Sequence, residues 1–220
     1  MMTHLSGFGV VLRPINEEDL SDLLRWRNRE DIRSMMKSQS IISMDDHRRW
    51  FSSIVQLNNA DIDSKAAQHC TSDSIAIQSQ YFAICYKAEL IGSANITTEA
   101  LSLSKASEVE PGLYIGHERY RGNILAFAPS LVLNDYCFKE LKVKRICATV
   151  HANNHQALAY NAKLGYKLSS SDEQDSQKSS HDHVAGSEKH PWIKMTLQEE
   201  DYLRATAKIR QFLSRPAKKN

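Results

Sequence analysis

The chain has 220 residues, a length that fits one domain with a full hydrophobic core. Lys and Arg number 28 against 26 Asp and Glu, and the formal net charge of +2 excludes a strong overall attraction to nucleic acid or an anionic membrane. No apolar stretch approaches the roughly 20 residues that span a bilayer, and the first residues do not lead into a signal-peptide core. We therefore expect a cytoplasmic protein, a monomer or homodimer, whose partner is a small molecule rather than nucleic acid or a membrane.

The first segments predict one strand and two helices. Gly9 to Arg13 has the apolar pattern of a strand, and Asn16 follows as the N-cap of a helix with an acidic first turn. Ser43 to Asp46 forms a capping box that begins a second amphipathic helix. Met35 to Ser40, between the two helices, predicts a loop.

The next segment predicts an insertion followed by strands. The chain turns polar without a sustained hydrophobic period, which predicts an inserted loop at 58–80. Tyr81 to Cys85 and Leu90 to Ile96 flank a short polar turn, which is the pattern of a hairpin. Gly112 to Gly116 predicts another short strand.

A long apolar helix follows a basic turn. Leu131 to Leu141 carries its apolar residues at helical spacing. Pro129 is tolerated only near the start of a helix, because its missing N–H would be unpaired there in any case. The helix is therefore expected to begin near Leu125 or Ala126.

The following strand and helix have clear ends. Lys144 to Val150 predicts a strand, and Asn154 is the expected N-cap of a helix that ends at Gly165. Lys163 lies in the last turn of this helix, where a cation suits the helix dipole. Both cap assignments agree on one helix.

The last third predicts a loop, a strand and a helix. Residues 169–190 are rich in Ser, Asp and His and lack apolar anchors, which predicts a mobile surface loop. Trp192 to Leu197 alternates as a final strand, and 199–215 predicts a C-terminal helix. The order of elements indicates a single domain over 1–220, of the α+β or α/β class, with one mixed sheet.

Cysteine and histidine residues predict no metal site. The four cysteines lack paired metal-ligand spacing and three lie in apolar runs, so we expect reduced core residues. They are Cys70, Cys85, Cys137 and Cys147. His181 and His183 lie with His190 in the polar loop, without the rigid support that a stable metal site needs.

The turn from Arg121 to Asn123 carries the first functional signal. It runs into the apolar helix, and a helix N-terminus presents unpaired N–H groups and a partial positive charge to an anion. Gly122 lets the backbone approach such an anion closely. On these residues alone the turn is either a phosphate site or an ordinary surface turn.

The surrounding order of motifs favours the phosphate site. A strand, an Arg-rich turn with its helix, a second strand and a capped helix ending in Lys-Leu-Gly-Tyr follow one another at Leu113 to Ile115, Arg119 to Ala126, Arg145 to Val150 and Asn154 to Tyr166. In this order the chain resembles the GNAT acyltransferases. The resemblance implies a mixed sheet splayed between its central strands and flanked by helices. The predicted C-terminal helix is extra to the part of the chain that the resemblance covers. It also implies acetyl-CoA as cofactor, with the pantetheine arm in the gap, and direct transfer of the acetyl group to an amine.

The resemblance also implies which residues contact the cofactor. They belong to the strand, the turn and the capped helix. They are Leu113, Tyr114, Ile115, Arg119, Arg121, Gly122, Asn123, Ile124, Leu125, Ala126, Asn154, Ala157 and Lys163.

The opening segments resemble one branch more closely. Leu12-Arg13-Pro14, Trp26-Arg27-Asn28, and Ile42-Ser43 leading to His47 and Trp50-Phe51 are similar to nucleotide-aminosugar N-acetyltransferases of the pseudaminic acid pathway. The favoured acceptor is then the amine of a nucleotide-linked aminosugar. The implied acceptor contacts are Trp26, Arg27, Met35, Met36 and His47. Two alternatives stay open: a protein N-terminus, as in the related ribosomal-protein acetyltransferases, and a non-catalytic module that binds acyl-CoA.

The turn departs from the family pattern at one position. The family reads Arg-x-x-Gly-x-Gly or Ala, and with Arg121 as the first member, Ile124 replaces the middle glycine. A β-branched residue does not readily adopt a positive φ, so the local backbone is expected to differ. Phosphate contacts are expected to shift to Gly122 and Asn123.

The second departure concerns proton transfer. The tyrosine that protonates the departing CoA sulfur in many members is replaced here by Asn161, whose amide either bonds the cofactor or caps a core backbone group. A thiol leaves tolerably without an acid, and Tyr160 or water is the remaining proton donor. Glu110 and His117 are the candidate bases for the amine, against the alternatives of a solvated carboxylate and a structural histidine.

Overall fold

The computed structural model describes residues 4–59, 78–100, 102–169 and 192–215, which build an eight-stranded sheet flanked by helices. The strands are β1 Leu5–Gly7, β2 Val10–Arg13, β3 Gln78–Tyr86, β4 Glu89–Thr98, β5 Glu108–Ile115, β6 Arg145–His151, β7 Lys167–Leu168 and β8 Trp192–Leu197. The α-helices are α1 Leu20–Asn28, α2 Glu30–Arg33, α3 Met44–Asn59, α4 Ala128–Asp135, α5 His155–Leu164 and α6 Glu199–Leu213. Within the described ranges, none of these helices combines the length and apolar character needed to cross a membrane.

The sheet is mixed and opens at its centre. The strand order is β1-β2-β3-β4-β5-β6-β8-β7, and every neighbouring pair is antiparallel except β5 and β6. β5 begins at Glu108, before the predicted Gly112, and pairs with β6 only at Glu108 with Arg145 and at Val109 with Ile146. Beyond Val109 and Ile146, β5 and β6 form no further pairs with each other along their described lengths. The predicted mixed, splayed sheet is therefore confirmed.

The two faces of the sheet pack against different helices. Phe82 and Ile84 of β3 belong to the larger hydrophobic core, which also contains buried residues of α4, α5 and α6. Ala83, between them, belongs to a smaller core with buried residues of α1, α2 and α3. Successive side chains of a strand point to opposite faces, so α1–α3 cover one face and α4–α6 the other.

The N-terminal segment contains a hairpin that the sequence pattern did not predict. β1 and β2 are joined through Phe8 and Gly9, whose φ angles of 53° and 81° are those of a tight hairpin turn with both central residues positive. The predicted strand is confirmed as β2, but Gly9 belongs to the turn. Asn16 accepts the predicted cap bond from the Asp19 N–H, and the turn that it caps is a 3₁₀ turn at Glu17–Asp19 that precedes α1.

The predicted long helix consists of three helical types. A 3₁₀ turn at Ile124–Phe127 leads into α4, and a π-helical turn at Tyr136–Glu140 follows. Pro129 explains the first change, because it has no N–H to donate to the carbonyl of Leu125 four residues earlier. That carbonyl accepts instead from the N–H of Ala128, which is the bond of a 3₁₀ turn. The helical segment thus begins at Ile124, next to the expected start near Leu125 or Ala126, but its α-helical part begins only at Ala128.

Helix α5 has both predicted caps. The side-chain oxygen of Asn154 accepts from the Ala157 N–H at 3.0 Å. At the other end Gly165 is left-handed, with φ of 99°, and its N–H bonds the carbonyl of Ala162. These caps determine where α5 begins and ends, and its residues line the opening in the sheet.

The predicted insertion is shorter than 58–80. α3 extends to Asn59 and β3 begins at Gln78, so the helix and the strand each continue into residues of polar composition. The hairpin of β3 and β4 is as predicted. The remaining part of the insertion, residues 60–77, lies outside the described residues, as does Cys70.

The C-terminal elements are confirmed as β8 and α6, which ends two residues before the expected boundary of 215. The predicted loop at 169–190 lies almost wholly outside the described residues, together with its three histidines. α6 is joined to α4 through Tyr202, whose hydroxyl lies 2.9 Å from the Leu131 carbonyl oxygen and 2.8 Å from Oδ1 of Asp135. Arg210 forms an ion pair with the same carboxylate. These polar contacts join α6 to α4 on the face of the sheet that α4–α6 cover.

Candidate active site

A cavity of about 1420 Å³ lies where β5 and β6 part. α4 and α5 with the turn before them line one side, which we call the α4–α5 side, and α1, α2, α3 and the loops joining them line the α1–α3 side. A smaller cavity of about 420 Å³ beside Arg13 and Phe51 contains none of the predicted site residues. The opening in the sheet is therefore the candidate active site.

Most of the predicted site residues line this cavity. They are Arg27, Met35, Met36, His47, Glu110, Leu113, Tyr114, Ile115, Arg121, Gly122, Asn123, Ala126, Asn154, Ala157, Tyr160, Asn161 and Lys163. The predicted residues that do not line it are Trp26, His117, Arg119, Ile124 and Leu125.

The turn before α4 offers three consecutive unpaired N–H groups. The N–H groups of Gly122, Asn123 and Ile124 make no hydrogen bond within the described chain, and all three residues are exposed. Gly122 has φ of 72°, whereas Ile124 begins the 3₁₀ turn without a positive φ. The side chain of Asn123 accepts from the Leu125 N–H at 2.9 Å and caps the turn. Consecutive N–H groups around a left-handed residue form a concavity that suits an anion.

Arg121 is tied to the opposite side of the cavity. Its Nη1 atom pairs with Oδ2 of Asp31 at 2.5 Å, and the same carboxylate pairs with Arg29. The hydrogen bonds from Arg29 and Arg121 hold the pKa of Asp31 below its usual range. This carboxylate therefore links α2 to the turn that precedes α4.

Tyr160 bonds the turn rather than pointing a free hydroxyl into the cavity. The phenol oxygen donates to the carbonyl of Ala126 at 2.9 Å and lies 2.7 Å from Oγ of Ser130. Burial raises the pKa of Tyr160 above its ordinary value. Asn161 lines the cavity, is half-buried, and makes no side-chain hydrogen bond within the described chain.

The two predicted bases have different surroundings. Oε1 of Glu110 accepts from the Thr149 N–H at 3.0 Å, so this side chain bridges β5 and β6 just beyond their last paired residues. His117 is outside the cavity, with Nε2 3.1 Å from Oε1 of Glu89. The chain leaves the sheet at Gly116, and the N–H groups of both Gly116 and His117 donate to the Ile91 carbonyl, which turns His117 toward the start of β4.

Trp26 is a core residue. It is buried, and a Cβ atom at Gly116 would lie 2.1 Å from Cδ2 of its indole ring. Glycine at 116 therefore lets the tryptophan pack against the backbone. The amphipathic pattern of α1 explains this position, because Trp26 continues the stripe of Leu20 and Leu23.

Arg27 lies on the α1–α3 side without a carboxylate partner. Nη2 donates to the Ser38 carbonyl at 2.7 Å, and Nη1 is buried with no hydrogen-bond partner among the described residues. Burial lowers the pKa of this guanidinium. Nearby Asp31 and Asp46 are both paired with arginines other than Arg27. On this side of the described cavity, Arg27 is thus the charged residue without an ion-pair partner.

Aromatic rings line the same side of the cavity as Arg27. His47 stacks on Trp50 with a centroid distance of 5.0 Å, and Trp50 meets the edge of Tyr81 at 5.2 Å. Burial lowers the pKa of His47, and its Nε2 has no partner among the described residues. The wall therefore combines flat apolar surface with unsatisfied polar atoms.

Several cavity residues were missed by the sequence reasoning. They are Trp50, Tyr81, Asn95, Ser130, Asn134 and Thr149. Ser130 and Asn134 stand four residues apart on α4 in line with Ala126, and this polar stripe in an apolar helix is a signal that was present in the sequence. No comparable signal marks Asn95 or Thr149.

The three described cysteines offer no nucleophile. Cys137 is buried and Cys147 is half-buried, and burial raises the pKa of each thiol to about 12. Cys85 is also buried, and the pKa of its thiol is raised for the same reason. A neutral thiol is a poor nucleophile, so transfer through a cysteine receives no support. The described residues also contain no cluster of His, Cys, Asp and Glu that could hold a metal ion.

Comparison with known proteins agrees with this geometry. A family model described as "Acetyltransferase (GNAT) domain" matches residues 10–167. No match was found among curated protein sequences.

Solved structures share the fold at low sequence identity. Mycobacterium smegmatis RimJ in complex with CoA-disulfide has a TM-score of 0.62 at 16% identity, covering 94% of this chain and 93% of that chain. Spermidine N-acetyltransferase from Vibrio cholerae, in complex with CoA and spermine, has 0.60 at 17%, covering 90% and 99%. A GCN5-related N-acetyltransferase from Brucella melitensis has 0.65 at 13%, covering 96% and 86%.

Proposed function

Because the chain belongs to the acetyltransferase (GNAT) domain family, we propose that it transfers an acetyl group from acetyl-CoA to the amine of a nucleotide-linked aminosugar. The observation that carries the choice of acceptor is the Arg27 guanidinium, which has no carboxylate partner and a buried, unbonded Nη1 atom, in the cavity that the stacked rings of His47 and Trp50 also line. An arginine without a carboxylate suits a phosphate, and flat rings suit a nucleobase. A polycationic acceptor receives no support from this wall.

The cofactor phosphates are proposed to bind at the turn before α4. The unpaired N–H groups of Gly122 and Asn123, which line the cavity, are the donors together with that of the adjoining Ile124, and Arg121 adds a positive charge. Acetyl-CoA supplies the thioester carbonyl that the amine attacks and a thiol as the leaving group. The α4–α5 side of the cavity, from Ala126 to Asn161, would hold the pantetheine arm.

The edge of β5 that faces the opening provides donors for the thioester carbonyl. The Gly116 N–H points to β4, and alternate residues of an antiparallel strand point their N–H groups to opposite sides. The N–H groups of Leu113 and Ile115 are therefore directed to the opening, while Pro111 has none. Such preorganised donors stabilise the negative charge that develops on the oxygen.

Glu110 is the proposed base for the amine. One of its oxygens accepts the Thr149 N–H, which leaves the other oxygen for a proton from the acceptor. A sugar amine with a pKa near 8 is only about one-tenth neutral at pH 7, so a carboxylate assists without being indispensable. Asn161 is proposed to orient the thiol by a hydrogen bond, because its amide N–H can donate such a bond but is too weak an acid to give up its proton.

A product screen tests this function. The protein would be incubated with acetyl-CoA and, separately, UDP-glucosamine, glucosamine, spermidine and a peptide with a free N-terminus, and products identified by mass spectrometry. We expect acetylation of the nucleotide-linked amine in preference to the free sugar. Acetylation of the peptide alone would replace this function with protein N-terminal acetylation. CoA binding without any product would instead indicate a non-catalytic module.

A further inference from the structure

The hydroxyl of Tyr160 connects α5 to the segment that begins α4. It lies 2.9 Å from the Ala126 carbonyl and 2.7 Å from Oγ of Ser130. We propose that Tyr160 is a positioning residue that holds the turn at 122–127 in shape for the cofactor phosphates, and that it is not the proton donor to the departing thiol. The inference rests on the proposed placement of those phosphates.

The assignment of hydrogens supports this role. A phenol has one proton, and a carbonyl oxygen only accepts, so the proton of Tyr160 is committed to Ala126. Ser130 must then donate its own hydroxyl proton to the phenol oxygen. Burial also raises the pKa of Tyr160, since it disfavours the phenolate that proton donation would leave behind. The geometry leaves no proton of Tyr160 directed to the cavity.

The ring of Tyr160 contacts the same segment. It stacks on Phe127 with a centroid distance of 4.6 Å and an interplanar angle of 10°. Phe127 and Ala126 both belong to the 3₁₀ turn that follows the three unpaired N–H groups. The Ala126 N–H also donates to the carbonyl of Asn123, so Ala126 links Tyr160 directly to the turn that carries the unpaired N–H groups.

The turn needs such support because it has little of its own. Residues 121–124 are exposed, and 3₁₀ bonds have poorer geometry than α-helical ones. Pro129 removes one helical hydrogen bond nearby. Besides the Asn123 cap, the hydroxyl of Tyr160 is the side-chain bond to the backbone of this 3₁₀ turn in the described structure. Its loss is expected to loosen the N–H groups that face the phosphates.

The test compares two ligands on the Tyr160→Phe variant, which keeps the stacked ring and removes the hydroxyl. Dissociation constants for CoA and for ADP would be measured by isothermal titration calorimetry. ADP carries the adenosine and a pyrophosphate but no pantetheine arm or thiol, so it reports on the phosphate end of the site without the thiol end. We expect both constants to rise by the same factor, roughly fivefold, the value of one hydrogen bond.

Tyr202→Phe is the matched control. The Tyr202 hydroxyl also bonds a carbonyl of α4, that of Leu131, but it lies behind the sheet and does not line the cavity. We expect its loss to lower the melting temperature and to leave both dissociation constants unchanged. Equal weakening by the two variants would overturn the inference, because it would reduce the effect of Tyr160 to general destabilisation.

Three further results are decisive. If Tyr160→Phe weakens CoA but leaves ADP unchanged, the hydroxyl acts on the thiol end and the inference is wrong. If it changes neither constant while Arg121→Glu weakens both, the phosphates bind at the turn but Tyr160 does not position it. If Arg121→Glu also has no effect, the placement of the phosphates fails first, and the inference fails with it.

Discussion

On the α4–α5 side of the cavity the donors proposed for the cofactor phosphates are main-chain N–H groups, whereas on the α1–α3 side the donors proposed for the acceptor are side-chain atoms. Gly122 to Ile124 offer three unpaired N–H groups in one turn. Arg27 and His47 instead offer Nη1 and Nε2 atoms that are buried without a partner in the described chain. Backbone recognition suits a ligand group that never changes, such as the CoA pyrophosphate. Side-chain recognition leaves the acceptor site open to change by substitution.

The two sides also differ in how their shape is held. On the α1–α3 side, side chains pin the loop between α2 and α3: Asn28 makes two hydrogen bonds of 2.8 Å with the backbone of Ile42, and Arg27 bonds Ser38. On the α4–α5 side, helix caps and Tyr160 hold the turn. The pair of Asp31 with Arg121 crosses between the sides. Substitutions should therefore separate into those that affect the cofactor and those that affect the acceptor.

Arg121→Glu should give the largest effect on cofactor binding. It replaces a cation at the turn by an anion, and a charged hydrogen bond contributes about 2 kcal/mol, so the CoA dissociation constant should rise roughly thirtyfold or more. Arg119→Glu is the control, because Arg119 is exposed and does not line the cavity. Calorimetry measures both. An equal loss in the two variants would mean that only overall charge matters.

Arg27→Met should affect the acceptor without affecting CoA. Methionine keeps the apolar stem and removes the guanidinium, and the loss of one charged bond, about 1.5 kcal/mol, should raise KM for the acceptor roughly tenfold. Arg25→Met, on the same helix but exposed and paired with Asp22, should leave KM unchanged. A rise in the CoA dissociation constant for Arg27→Met would contradict the separation of the two sides.

Gly122→Ala should weaken CoA binding by strain in the backbone. Gly122 has φ of 72°, and a Cβ atom there would meet nothing within 4 Å, so no clash is involved. Forcing alanine into this conformation costs about 1 to 2 kcal/mol, or roughly tenfold in the dissociation constant. Gly122→Asn should recover part of the loss, because asparagine tolerates the left-handed region although it is larger. If steric hindrance caused the loss instead, the larger asparagine would weaken CoA binding more than alanine does.

The α4–α5 side was largely predictable because its signals are local. Asn154 and Gly165 mark the two ends of α5, and Pro129 and Gly122 mark the start of the helical segment, all within one continuous stretch. Capping and glycine conformations are properties of a few neighbouring residues, so they can be recognised without knowing the fold. The hydrogen bond of Tyr160 to Ala126 could not be predicted in this way, since it joins two helices.

The α1–α3 side was only partly predictable because distant segments build it. Helical spacing assigns both Trp26 and Trp50 to the core, yet only Trp50 lines the cavity. Which aromatic residue faces the core depends on the packing of three helices against the sheet, which no local pattern contains. His117 was wrongly expected near the cavity, because its nearness to β5 in the chain does not reveal the change of direction at Gly116.

His47 should give the α1–α3 side a pH dependence. Burial keeps the pKa of His47 below its ordinary value near 6.5, so below that pH the unfolded chain binds a proton that the folded chain does not. The free energy of unfolding should therefore fall as the pH decreases from 6.5, by at most about 1.4 kcal/mol per pH unit. His47→Gln should flatten this slope in urea denaturation, and the exposed His155→Gln should not. An unchanged slope in His47→Gln would show that other groups cause it.

Asp31→Asn should give the smallest effect and tests the ion pair between Asp31 and Arg121, which joins the two sides. The pair of Asp31 with Arg121 is partly exposed, so its contribution is below about 1 kcal/mol and is screened by salt. Asparagine removes a negative charge beside the turn, and CoA should bind slightly tighter, by less than about fivefold, with the gain fading at high salt. KM for the acceptor should stay the same if the two sides act separately. A change in KM that parallels the change in CoA affinity would mean instead that α2 transmits cofactor binding to the α1–α3 side of the cavity. The Asp31 carboxylate, which pairs with both Arg29 and Arg121, would then be the connection.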